Sequence, residues 1–128
     1  MSSSPCYVGI DVAKDHLDVA LRPTEDAWTV ANEPEGLETL IRRLKPAEPR
    51  LVVLEATGGY EAPVAAALST AGIPVAVVNP RQVRDFAKAT GQLAKTDRID
   101  AATLALFADR VRPEPRPLPD PVGEELRA

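Results

Sequence analysis

Two short runs, "LVVLE" at 51–55 and "IPVAVVN" at 73–79, are apolar at almost every position, and they constrain the fold of this chain most. A strand with one wet face alternates polar and apolar residues. One that is apolar throughout is covered on both sides, usually by helices. Between the runs lies "YEAPVAAALSTAG", helical in pattern, with Pro63 in its first turn and Gly72 as a natural stop. Strands joined through a helical crossover run parallel. The expectation is an α/β sheet with helices on both faces.

The chain before these runs adds a different pattern. Residues 6–12 form an apolar strand with Asp11 near its end, and a second strand alternates, with Leu17, Val19 and Leu21 on one face and His16, Asp18 and Ala20 on the other. The connection around Ala13 to Asp15 is short enough for an antiparallel hairpin. A third strand, "AWTVAN", follows a turn at Pro23 to Asp26, so the three make a meander. In "PEGLETLIRRLK", Leu37, Leu40, Ile41 and Leu44 fall at i, i+3, i+4 and i+7 of an amphipathic helix. Asn79 with Pro80 starts another helix, ending near Gly91, and a last helix follows. The predicted fold class is α/β, a mixed five-stranded sheet.

A chain of 128 residues suits one domain with a real core, filled by Val, Leu, Ile and Ala because only one Trp, two Tyr and two Phe are present. The net charge of -4 excludes a surface uniformly basic for nucleic acid, but leaves room for a local basic patch. The single cysteine, Cys6, excludes an internal disulfide and a multi-cysteine zinc site, and its strand position suits a core role. No signal peptide or membrane-spanning run is visible, so a cytoplasmic protein with no membrane partner is expected. Residues 5–112 read as the domain. Residues 113–123, with proline at every second position, read as an extended connector, and 124–128 as the start of a following helix.

The last helix, within "GQLAKTDRIDAATLALFADR", poses a chemical question. Asp97 and Asp100, three residues apart, are expected to share a helical face with Ala101, Leu104, Phe107 and Ala108. A carboxylate on a packed face is costly unless its charge is compensated. The bland reading makes Thr96 or Asp97 a helix N-cap, with acids favoured by the helix dipole. Asp11 and Glu55, however, fall at strand ends, where ligands of such sheets bind. Each has its own structural alternative: Asp11 capping the next turn, Glu55 pairing with an arginine or capping the turn at Gly58 and Gly59. Together the four acids suit one hard divalent cation, or two, of the kind that cleave phosphodiesters.

Basic residues lie beside them. Arg81, Arg84 and Lys88 share a helical face at i, i+3 and i+7, while Lys95 and Arg98 flank the last two aspartates. Such a face beside a metal site can hold phosphates; its plainer reading is a solvated surface that Asp85 partly neutralises. His16 lies on the polar side of a hairpin and carries no catalytic signal. Gly58 and Gly59 follow a strand as phosphate loops do, without the lysine and serine or threonine of a P-loop.

The stretches "YVGIDVAKDHLDVAL", "LEATGGYE" and "VVNPRQVRDFAKATGQLAKTDRIDA", in that order, closely resemble the N-terminal domain of Piv-type DEDD transposases, recombinases of bacterial insertion sequences. The resemblance runs from about Tyr7 to beyond Asp109. It implies an RNase H-like, RuvC-like fold, with the family's Asp, Glu, Asp and Asp on Asp11, Glu55, Asp97 and Asp100 as catalytic and metal-binding residues. It implies Mg²⁺ or Mn²⁺ as cofactor and DNA as substrate, with Arg81, Arg84, Lys88, Lys95 and Arg98 as nucleic-acid contacts. A structured guide RNA and an oligomer of identical chains are further partners that it implies for the full-length protein. Family members continue into a second domain with a serine thought to attack DNA; Ser2, Ser3, Ser4 and Ser69 match no such motif. Two other readings compete. One is a nucleic-acid-binding module without catalysis. The other is a fragment of an actin-like ATPase or sugar kinase, which shares the opening "GID" strand and hairpin.

Overall fold

The computed structural model describes residues 5–91 and 99–116. Five strands form one sheet in the order β3-β2-β1-β4-β5. β1 (Tyr7–Val12), β2 (His16–Arg22) and β3 (Ala27–Ala31) make the expected antiparallel meander, and β4 (Leu51–Glu55) and β5 (Val75–Val78) add parallel to β1. The two continuous apolar runs are thus the inner and outer parallel strands. Every residue of β5 and the first four of β4 are buried.

Two helices cover each face. α1 (Pro34–Leu44) and α2 (Ala62–Thr70) pack on one side, where Leu40, Leu44, Val64 and Leu68 meet Val8, Ile10, Leu17, Val19, Val52 and Leu54. The apolar stripe of α1 behaves as its spacing predicts: Leu40 and Leu44 are fully buried, and Leu37 and Ile41 pack at the edge. A short 3₁₀ turn, Lys45–Ala47, ends that helix at a proline, which cannot continue the hydrogen-bond ladder. α3 (Pro80–Ala89) and α4 (Ala101–Val111) cover the opposite face over Tyr7, Leu51, Val53, Ala76 and Val78. Phe86 of α3 meets Phe107 of α4 edge to face, with ring centroids 5.4 Å apart. α3 opens with Asn79 accepting from the Arg81 N–H at 2.8 Å.

α4 rests directly on β1 and runs antiparallel to it. Near its C-terminal end, Arg22 Nε donates to Asp109 Oδ2 at 3.2 Å, and Arg112 stacks over the Tyr7 ring at 5.1 Å. Its N-terminal end crosses Gly9, where an added Cβ would run into the backbone of Ala101, Leu104 and Ala105. Glycine in β1 and alanines at 101, 105 and 108 let helix and strand backbones touch. The first helical turn therefore lies one pleat from Asp11.

After α4 the chain turns back to the sheet edge. Arg116 forms a parallel bridge with Ala76, donating to Val75 O at 2.6 Å and accepting from Val77 N at 2.8 Å. The start of the proline-rich stretch thus caps part of the open edge of β5. Residues 117–128 lie outside the described residues. Among the described residues, no helix is long and apolar enough to cross a membrane.

Candidate functional site

The carboxyl ends of β1 and β4 bring two of the expected acids level. The parallel register pairs Ile10 with Leu54, so Asp11 and Glu55 are the next residues on their strands. On the other side of β1, Asp11 pairs with Asp18, and Asp18 with Thr29 of β3. Residues level on neighbouring strands point to the same face. Asp18, Asp11 and Glu55 therefore stand abreast on the side that α4 covers. All three are half-buried, and Glu55 Oε2 is shielded from solvent. Like charges set side by side cost stability unless a counter-charge or a proton offsets them.

Asp18 carries no functional signal in the sequence. There it is one polar position of an alternating strand, and only the hairpin register sets it opposite Asp11. Thr29 Oγ1 donates to its Oδ1 at 2.8 Å, and His16 Nε2 lies 4.0 Å from its Oδ2. His16 is exposed, in keeping with the absence of a catalytic signal.

Asp100 differs from the expectation. α4 begins at Ala101, so Asp100 is its N-cap, with extended dihedrals (φ -113, ψ 179), rather than a residue on a helical face. Its Oδ1 accepts from the Thr103 N–H and the Thr103 hydroxyl, both at 2.9 Å. The expected face of Ala101, Leu104, Phe107 and Ala108 is buried, but the paired-aspartate helical stripe does not extend back to Asp100. The physical reason is capping: a short acid that can take the first free N–H groups stops the helix there. Asp97, Lys95, Arg98 and the alternative cap Thr96 lie outside the described residues. Asp100 still belongs to the acidic end of the sheet. It and Ala101 wall an open recess of about 370 Å³ whose other side is Asp18, Trp28 and Thr29. Among the described residues, no three His, Cys, Asp or Glu side chains come close enough to hold one metal ion together.

Capping makes a prediction. Asp100→Ala is expected to lose about 1 kcal/mol of stability. Asp100→Asn keeps an amide oxygen for Thr103 and is expected to melt within about 2 °C of the parent without divalent ions. A clear rise in the melting temperature of the Asn variant would show that repulsion outweighs the cap.

The loop after β4 is built around Glu61, an acid that the sequence does not single out. Glu61, only 4% exposed, is the buried charged residue among those described. Its Oε1 accepts from Thr57 N at 2.9 Å, Thr57 Oγ1 at 2.7 Å and Gly59 N at 3.1 Å. The turn at Gly58 and Gly59, both at positive φ, is thus tied by Glu61. Burial alone would raise the Glu61 carboxyl. The hydrogen bonds from Thr57, the local backbone and Gly59 outweigh it and hold the group below the ordinary glutamate value. Its contribution to stability is therefore complete above the unfolded value and is lost as pH falls through the lower folded one. From the neighbouring turn, Asn32 Nδ2 donates to Ala13 O at 2.9 Å and to Tyr60 O at 3.3 Å.

The basic helix lies on the same face as α4. Arg81 and Lys88 are exposed and Arg84 is half-buried, with Val83 and Ala87 turned into the core between them. Arg81 follows by three positions Val78, the β5 residue level with Glu55. Asp85 is exposed on the same helix. Cys6 packs at the edge of the α1–α2 core, and burial, aided by Asp26, pushes its thiol up. That is a packed thiol, as expected, and not a reactive one.

Known proteins share this architecture. RuvC of T. thermophilus, solved in complex with a Holliday junction substrate, superimposes with a TM-score of 0.58 over 84% of this chain and 96% of its own, at 21% identity. The fold is therefore the RuvC-like, RNase H-like one. The pilin gene-inverting proteins of Moraxella lacunata and Moraxella bovis are 30% and 29% identical over 117 residues, 86% of this chain. This chain spans 36% of the length of each. The transposase family DEDD_Tnp_IS110 matches residues 8–128. With all of the sheet but Tyr7, and α4, inside that match, the chain belongs to the DEDD transposase family of IS110 type.

Proposed function

We propose that this domain engages DNA at the carboxyl ends of β1 and β4, and that Asp11 and Glu55 hold a divalent cation, Mg²⁺ or Mn²⁺, for phosphodiester cleavage. The supporting observation is the level placement of Asp11 and Glu55 on the face covered by α4. The donor set fits the ion. Mg²⁺ takes hard oxygen ligands, keeps several waters and is commonly bound through one or two carboxylates plus substrate phosphates. Glu55 offers an oxygen already withdrawn from solvent. Asp100 and Asp97 would supply the remaining family carboxylates.

When bound, such an ion activates an attacking oxygen and stabilises the leaving one. The protein's own residues provide the rest. Asp11 and Glu55 would hold the ion from the ends of two neighbouring strands. Arg81, Arg84 and Lys88 on α3, with Lys95 and Arg98, hold neighbouring phosphates and set the strand's direction. DNA as the partner agrees with the transposase family and with the junction bound by the RuvC neighbour. In the whole protein this cleavage serves strand exchange, with a structured RNA selecting the DNA site and identical chains assembling on it. The domain acts in the cytoplasm, where its substrate lies.

The test is calorimetric titration of this 128-residue chain with Mn²⁺ and Mg²⁺, alone and with branched DNA, alongside a nicking assay. The expected result is weak DNA binding that needs the divalent ion and falls steeply with salt, with at most trace nicking. Binding indifferent to divalent ions and to Asp11→Asn would instead mark a docking module without catalysis. Saturable binding of ATP would favour the actin-like reading.

A further inference from the structure

The backbone ladder between β1 and β4 ends one residue short of the acids. Its last matched pair is Ile10 and Leu54. Beyond it, β1 continues paired to β2, as far as Val12 and Leu17, and β4 continues along β5, with Ala56 N donating to Val78 O at 3.0 Å. Asp11 and Glu55 thus follow the last pair that β1 and β4 share, where the twist of the sheet begins to turn the two strands apart. A pair of carboxylates that must share an ion needs its spacing fixed.

Two side chains close that gap. Asn32 is anchored to the β1–β2 turn, its N–H donating to Asp15 O at 3.0 Å. Its side-chain amide then reaches Ala13 O, two residues beyond Asp11, and Tyr60 O, five beyond Glu55. Glu61 makes the intervening loop rigid by gathering Thr57 and Gly59 onto one buried oxygen. The contacts run continuously from the end of β1 through Asn32, Tyr60 and Glu61 to Thr57, two residues beyond Glu55. Three hydrogen bonds on that one oxygen offset the cost of burying its charge.

We propose that Asn32 and Glu61 are positioning residues, which set the distance between Asp11 and Glu55. The inference rests on the reading that these two carboxylates act as a pair. Groups behind a metal ligand orient it, and their loss typically weakens metal binding by 10- to 100-fold. Asn32→Ala and Glu61→Gln should each weaken Mn²⁺ binding by about tenfold. Leu68→Ala, which opens a core cavity under α2 away from the bridge, should lower the melting temperature and leave the affinity of the folded protein unchanged.

A metal-free readout separates the two ideas. In a double-mutant cycle, the melting-temperature shifts of Asp11→Asn and Asn32→Ala should fail to add by more than about 2 °C, because releasing the bridge changes what surrounds Asp11. The same holds for Asp11→Asn with Glu61→Gln. Additive shifts, with Mn²⁺ affinity as in the parent, overturn the proposal. If the parent chain binds no Mn²⁺, the metal reading fails and the cycle alone decides: coupling retains the bridge as a positioning device, and additivity removes it.

Discussion

Gly9→Ala is expected to lower the stability of this domain by about 3 kcal/mol, the upper end for overpacking, and its melting temperature by roughly 10 °C. Gly9 sits in a regular strand and not in a turn, so alanine meets no conformational penalty there. The whole cost is contact. A methyl group at this position strikes the backbone of Ala101, Leu104 and Ala105, none of which can rotate aside as a side chain would. α4 must lift from β1, taking apart the cluster of Leu104, Phe107 and Ala108 over Val53 and Tyr7. Because Asp100 caps that helix, the lift also carries its carboxylate away from the recess it shares with Asp18. Thermal melts of Gly9→Ala beside the parent check this. A loss under about 2 °C would mean that the helix does not rest on the strand backbone.

Gly9 also shows where sequence reasoning stops. Elements whose signal is local are legible. The alternation of Leu17, Val19 and Leu21, the stripe of α1, the Asn79–Pro80 helix start and the two buried strands each lie within a few residues, and their periods survive in the fold. Asp11 and Glu55 are legible as strand-end acids for the same reason. The packing of Gly9 is hidden because its partners belong to the far end of the chain. Asp18 is hidden because facing Asp11 is a property of hairpin register. Glu61 reads as a helix residue after the Gly58 and Gly59 turn, although its side chain folds back into that turn. Its one sequence signal is an acid two residues beyond a glycine pair and four beyond a threonine, a spacing that suits a loop tied by its own carboxylate. The helical spacing of Asp97 and Asp100 points to a start of α4 that is too early, because Asp100 prefers the cap.

Asp11→Asn and Glu55→Gln are expected to abolish stabilisation by Mn²⁺. A ligand that binds only the native state, at a hundred times its dissociation constant, stabilises it by about 2.7 kcal/mol. For a domain of this size that is a rise of roughly 10 °C in melting temperature. Each isosteric amide keeps the shape of the side chain but removes the anionic oxygen that a hard cation selects. The gain on adding Mn²⁺ should then fall to nearly zero. Asp18→Asn is the comparison that gives the result meaning. It makes the same change of charge, in the same row, on the strand next to Asp11. Yet Asp18 already accepts from Thr29 and stands one strand farther from Glu55. If the cation is held by ligation, Asp18→Asn should keep most of the gain. If the row attracts cations only as a diffuse negative field, the three variants should lose similar amounts, and added monovalent salt should erase the parent's gain as well. Equal losses across Asp11, Asp18 and Glu55 would therefore sink the assignment of Asp11 and Glu55 as ligands, whatever the DNA assays show.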